Sequence, residues 1–161
     1  MKIEVLVTGG TIDGMDKESY PAEEKYTLVP GLLETVKPDA EYSVDILMVK
    51  DSSFIADEDR KAISDRCKDS SEDRIVITHG TDTMATTAKY LDTLGIGKTI
   101  VLTGSFIPAD QENSDAVSNL KDAFEAAQSL PPGVYVAMNG RIFHADNVRK
   151  NFEARAFEEE R

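Results

Sequence analysis

One cysteine, Cys67, is the only thiol in the 161 residues, so an internal disulfide is impossible and a reducing, cytoplasmic location is expected. No histidine stands near it, and it falls on the apolar side of a predicted helix, so Cys67 reads as a core residue rather than a nucleophile. Basic residues are also short, 18 Lys and Arg against 30 Asp and Glu, a net charge of -12. Nucleic acids and anionic membranes are polyanions that such a surface repels, so neither is expected as a partner. Long apolar runs are missing too. The run from Ile3 to Val7 is interrupted by Glu4 and stops at Thr8, too short for a secretory leader or a membrane span. Repeats and low-complexity tracts are absent. Only two histidines, His79 and His144, are present, which leaves little material for a Ser-His-Asp arrangement.

What the chain does have is alternation. Short apolar, β-branched runs near 3–7, 43–49, 74–78, 98–103 and 133–138 are separated by helical patterns near 57–69, 82–94 and 112–129. Strand-helix alternation predicts a parallel sheet. Helix stripes are expected from Met84, Ala88, Leu91 and Leu94, and from Val117, Leu120, Phe124 and Ala127. Strands such as Thr99-Ile100-Val101-Leu102 are apolar on both faces, as a sheet covered on both sides requires. The expectation is one α/β domain: a doubly wound, mostly parallel, three-layer sheet of Rossmann or flavodoxin type. The length suits a single domain with an ordinary core.

Two turns carry the chemistry. Thr8-Gly9-Gly10-Thr11 follows the first strand, and His79-Gly80-Thr81-Asp82-Thr83 follows Asp73 to Thr78 and precedes a helix. Strand-to-helix turns in open α/β sheets collect side chains and helix N–H groups at one edge, where small ligands bind. Two hydroxyl-bearing turns at one edge point to acyl transfer from an amide, because a covalent acyl intermediate splits a hard hydrolysis into two steps. Asp13 to Lys25, charged and long, reads as a lid closed by Tyr26.

These strings resemble the signatures of the bacterial-type L-asparaginase and glutaminase-asparaginase family, in its amino-terminal domain. Thr8 to Ile12 matches the first signature, His79 to Met84 the second, and Asp51-Ser52-Ser53 the loop that holds the substrate carboxylate. Gly104-Ser105 and Lys150 fit as well. The resemblance implies hydrolysis of L-asparagine, with L-glutamine as a second substrate, and no cofactor or metal. It implies two catalytic sets, Thr11 with Tyr26, and Thr81 with Asp82 and Lys150. Thr11 is assigned the first attack and Thr81 the activation of water, although the two roles are exchangeable at this stage. Substrate binding is assigned to Gly10, Asp51, Ser52, Ser53, Gly80, Thr81 and Asp82, with the α-ammonium on Asp82 and the departing amide near Ser105.

Several residues depart from the family pattern. Asp13 puts a carboxylate after the first signature, Phe54 stands where an acid is common, and Lys150 lies in Val148-Arg149-Lys150-Asn151-Phe152, with Arg149 as a second cation beside it. The chain ends 11 residues after Lys150, from which a missing second domain and a homodimer or larger homo-oligomer are expected. The tail from Phe152 to Arg161 reads as a short docked helix or a frayed end. Two other readings stand beside the hydrolase: a catalytically weak amino acid-binding module, and an amidotransferase-associated subunit.

Overall fold

The computed structural model describes residues 1–14 and 27–161. Its elements are β1 (Lys2–Val7), α1 (Val29–Val36), β2 (Glu41–Ile46), α2 (Asp57–Asp69), β3 (Arg74–Thr78), α3 (Met84–Thr93), β4 (Thr99–Thr103), α4 (Ala116–Ser129), β5 (Gly133–Met138), β6 (Arg141–His144), β7 (Arg149–Asn151) and β8 (Ala156–Glu158). Six strands form one sheet in the order β2-β1-β3-β4-β5-β6, and β7 pairs with β8 separately. The first five sheet strands are parallel and β6 is antiparallel to β5.

Alternation of side chains along each strand divides the core in two. Leu6, Ile75, Ile77, Ile100 and Leu102 face Ile63 and Cys67 of α2 and Met84, Ala88 and Leu91 of α3. Val5, Val7, Val76 and Val101 face Leu32 and Leu33 of α1 and Leu120, Ala123 and Phe124 of α4. Helices therefore cover both faces, as a doubly wound sheet requires. Cys67 is fully buried, and burial pushes its thiol up to about 12, so it carries no thiolate.

Some boundaries move from those read in the sequence. α3 begins at Met84 rather than Asp82, and Leu94 caps its end and is exposed. In α4 the buried stripe is Ala116, Leu120, Ala123, Phe124 and Ala127, while Val117 lies on the exposed flank. Residues 112–115 form a turn, because the Asp115 carboxylate is engaged by the backbone N–H groups of Phe106 and Ile107. α1 was not anticipated: Pro30 is tolerated in its first turn, where no N–H partner is needed. The tail is neither helix nor frayed end. It turns back as the β7-β8 hairpin, with Phe157 buried in the core.

Sheet order fixes where the loops gather. Val7 pairs with Thr78 and Thr78 with Thr103, so β1, β3 and β4 end in register. The chain reverses its direction of travel across the sheet between β1 and β3, which is the switch point where such folds bind ligands.

Candidate functional site

The β1 and β3 turns touch. Gly10 has φ 99°, which favours glycine, and a Cβ there would overlap Gly80 Cα. Gly80 in turn faces the loop after β2: a Cβ on it would lie 2.6 Å from Ser52 Cβ. Three chain segments, 8–11, 51–54 and 79–83, are thus packed at backbone distance, with Thr11 and Thr81 each one residue beyond the contact. Backbone bonds hold the edge together, from Thr8 N–H to Thr78 O at 3.0 Å, from Lys50 N–H to Thr8 O at 3.0 Å and from His79 N–H to Thr103 O at 2.9 Å.

The hydroxyls after β3 do not cap α3. Thr83 is the N-cap residue but makes no side-chain cap bond. Its Oγ1 donates to the Ser52 carbonyl at 2.8 Å, and its N–H donates to Ser52 Oγ at 3.2 Å, fastening the Ser52 loop to the helix. Thr81 faces Lys150, whose ammonium donates to Thr81 Oγ1 at 2.8 Å and to Asp82 Oδ1 at 2.6 Å. These partners are 69 and 68 positions away in sequence, and the lysine side chain is only 10% exposed. Lysine is seldom buried without a partner, and here it has two. The rings of Phe106 and Phe152 lie 5.4 and 4.7 Å from its nitrogen, within cation–π range.

Of the remaining residues singled out in the sequence, Thr11 is half-buried in the turn Thr11–Asp13. Asp51 caps the turn Ser52–Phe54, accepting from the Ser53 N–H at 3.0 Å and from the Ser53 hydroxyl, so both of these residues shape the loop. Ser105 donates to Ile107 O at 2.6 Å within its own loop. Tyr26 and residues 15–25 of the expected lid lie outside the described residues, while its first two, Asp13 and Gly14, belong to the turn Thr11–Asp13 and its C-cap. Asp13 is engaged by the start of the next segment: its Oδ1 accepts from Thr27 Oγ1 at 2.7 Å and Leu28 N–H at 2.9 Å, while burial raises its carboxyl above the usual range. Arg149 turns outward, as the strand's alternation requires, and pairs with Glu158 at 2.6 Å.

Residues that sequence reasoning missed are the supports. Asp115 accepts from two backbone N–H groups of the Phe106 loop and from Asn119 and Asn139. Asn119 also donates to Gly104 O at 2.9 Å, bridging the ends of β4 and β5. A buried amide on an otherwise apolar helix stripe was the available signal. Among the described residues no group of three or more His, Cys, Asp or Glu side chains is placed to hold a metal, and no helix is long and apolar enough to cross a membrane.

Two threonine turns packed together at the switch point of a parallel sheet, one of them bonded by a nearly buried lysine, define a doubly wound α/β protein. The chain belongs to the asparaginase family, whose amino-terminal model, "Asparaginase, N-terminal", matches residues 2–159. It is 37% identical to the "Probable L-asparaginase periplasmic" of Haemophilus influenzae over 161 residues, which cover 92% of this chain and 46% of the relative. The solved thermostable L-asparaginase from Thermococcus kodakarensis superimposes with a TM-score of 0.82 at 33% identity, over 99% of this chain and 51% of that one. A glutamyl-tRNA(Gln) amidotransferase component from Archaeoglobus fulgidus is 33% identical, over 95% of this chain and 40% of its own length. The chain therefore spans about half the length of the relatives it matches.

Proposed function

We propose that this chain carries the threonine chemistry of an L-asparagine amidohydrolase, converting asparagine to aspartate and ammonia, with glutamine as a second substrate. The observation that carries the reading is the Lys150 ammonium shared between Thr81 and Asp82. A structural lysine needs a carboxylate; it does not need a threonine hydroxyl at a ligand-binding turn as well.

Thr11 is assigned the first attack. Its oxygen forms a bond to the side-chain amide carbon, the C–N bond breaks, and the threonine's hydroxyl proton is passed to the departing nitrogen, which leaves as ammonia. Water then adds to the acyl carbon, aspartate is released and the threonine hydroxyl is restored. Thr81 is assigned to positioning that water, its oxygen held in place by the Lys150 ammonium at 2.8 Å. Tyr26 keeps its role as partner of Thr11 on family resemblance alone. The Asp82 side chain stays 32% exposed beside Lys150, leaving it able to meet the substrate ammonium, while the Ser52 loop and the Gly10 and Gly80 backbone would take the carboxylate and oxyanion. Ser105 would lie near the leaving amide. No cofactor is required.

Homology to an amidotransferase component favours a second reading, in which ammonia is passed to a tRNA-bound substrate. The charge of -12 weighs against an RNA-facing surface on this chain. A homo-oligomer and a cytoplasmic location belong to the first reading. A strictly monomeric mass in light scattering would remove the oligomer.

The test is ammonia release from asparagine, glutamine and an analogue lacking the α-ammonium, with the wild type, Thr11→Ala and Thr81→Val. Loss of a nucleophile lowers turnover by about 10⁴-fold or more. Near-normal turnover in either variant would strike that threonine from the nucleophile role. A wild type inert toward asparagine would leave the binding module.

A further inference from the structure

Behind the Gly80-Thr81 turn lies a run of buried polar groups that the mechanism does not use. Arg60 of α2 is 8% exposed, and its Nε–H donates to Thr87 Oγ1 at 3.2 Å. Thr87, on α3, is fully buried, and its Oγ1 lies 2.9 Å from His79 Nε2. His79, also fully buried, places Nδ1 2.7 Å from the Gly80 carbonyl oxygen.

The direction of this run is set at the Gly80 end. A carbonyl only accepts, so His79 Nδ1 must carry the hydrogen, and the Thr87 hydroxyl, which accepts from Arg60, gives its own proton to Nε2. Nε2 is then the acceptor of a neutral imidazole whose Nδ1–H donates to the Gly80 carbonyl. The opposite tautomer would set a ring lone pair against a carbonyl lone pair and leave Thr87 without an acceptor, and a lost buried hydrogen bond is costly. Burial, with a contribution from the Arg60 charge, holds the imidazole neutral, lowering it from 6.5 to about 4.

We propose that Thr87, seated on Arg60, is a positioning residue that donates to His79 Nε2, holds the Nδ1–H imidazole against the Gly80 carbonyl and thereby sets the peptide plane between Gly80 and Thr81. The inference rests on the assignment of Thr81 to the catalytic set. It gives α2, which supplies none of the reacting groups, a part in aiming the Thr81 hydroxyl.

The test pairs a tautomer readout with turnover on the full chain. Long-range ¹H–¹⁵N correlation of ¹⁵N-histidine protein, assigned with His144→Gln, is expected to show His79 as the Nδ1–H form. Thr87→Val keeps the shape and removes both hydrogen bonds, and Arg60→Met removes the donor that seats Thr87 together with the Arg60–Asp57 ion pair. Both are expected to shift His79 away from a single tautomer and lower kcat by about tenfold, since small misplacements of catalytic groups are expensive. Thr87→Ser restores the hydroxyl and should return both readouts. An Nε2–H form in the wild type, or an unchanged tautomer and kcat in Thr87→Val and Arg60→Met, would overturn the proposal. A wild type that shows the Nδ1–H form but releases no ammonia would instead count against the assigned function.

Discussion

Lys150 joins the two polar residues of the Thr81 turn through one nitrogen. Its ammonium has three donors, and two of them go to Thr81 and Asp82. The Phe152 ring, 4.7 Å away, meets the same nitrogen although the residue is 62% exposed. Lys150→Met keeps the stem and removes the charge, and turnover is expected to fall by about 10²- to 10⁴-fold while circular dichroism and thermal midpoint change little. Lys150→Arg should not rescue, because a planar fork does not offer a point charge to two oxygens at these positions. Phe152→Ala should cost about three- to tenfold in turnover and Phe152→Trp less than Phe152→Leu, because cation–π attraction depends on the ring face. Equal effects of Trp and Leu would reduce Phe152 to a plain apolar cover. Ammonia release measured on each purified variant decides these cases.

At the scale of elements, the candidate site is made by turns rather than by the helices and strands they join. Gly10→Ala adds one methyl group where φ is 99° and where Gly80 Cα already sits, so the β1 turn must withdraw from the β3 turn. The backbone strain alone is worth about 1–3 kcal/mol, and a displacement near 1 Å between the two threonine turns is expected to cost about 10²-fold in turnover. A Gly10→Ala enzyme with a native melting curve and full activity would show that the two turns do not work as a unit. The five parallel strands and three of the four long helices were legible in the sequence because their apolar periods are strong. α1 was not, since eight residues that include Pro30 and Gly31 give little periodic signal. The edge strand β6 and the β7-β8 hairpin were hidden because strands of three and four residues carry almost no pattern. Of the site, the threonine turns and Lys150 could be named from motifs, whereas the Thr83 bonds to Ser52, the Asp115 brace and the Arg60 run depend on tertiary contacts that no local string encodes.

Across the whole molecule, two buried groups tie stability to pH with opposite signs. His79 is depressed by burial from 6.5 to about 4. Its contribution is fully present above about pH 6.5 and is lost as pH falls through about 4, because the unfolded chain takes up a proton that the folded one refuses. At 1.36 kcal/mol per unit this amounts to about 3 kcal/mol, so wild-type unfolding free energy should decline across that window. In His79→Gln the slope should flatten, whatever the variant's absolute stability. Asp13 runs the other way. It is 5% exposed, its Oδ2 has no hydrogen-bond partner among the described residues, and burial raises its carboxyl despite the bonds from Thr27 and Leu28. A raised acid favours the fold while protonated and withdraws that support as pH rises through its folded value. Asp13→Asn keeps an oxygen for Thr27 and Leu28 and removes the charge. Its stability relative to wild type should therefore improve as pH climbs past the ordinary carboxylate range near about 4. Urea unfolding of wild type and both variants across this range separates the two effects. A stability difference between Asp13→Asn and wild type that is flat with pH would show that Asp13 ionises in the folded chain as readily as in the unfolded one.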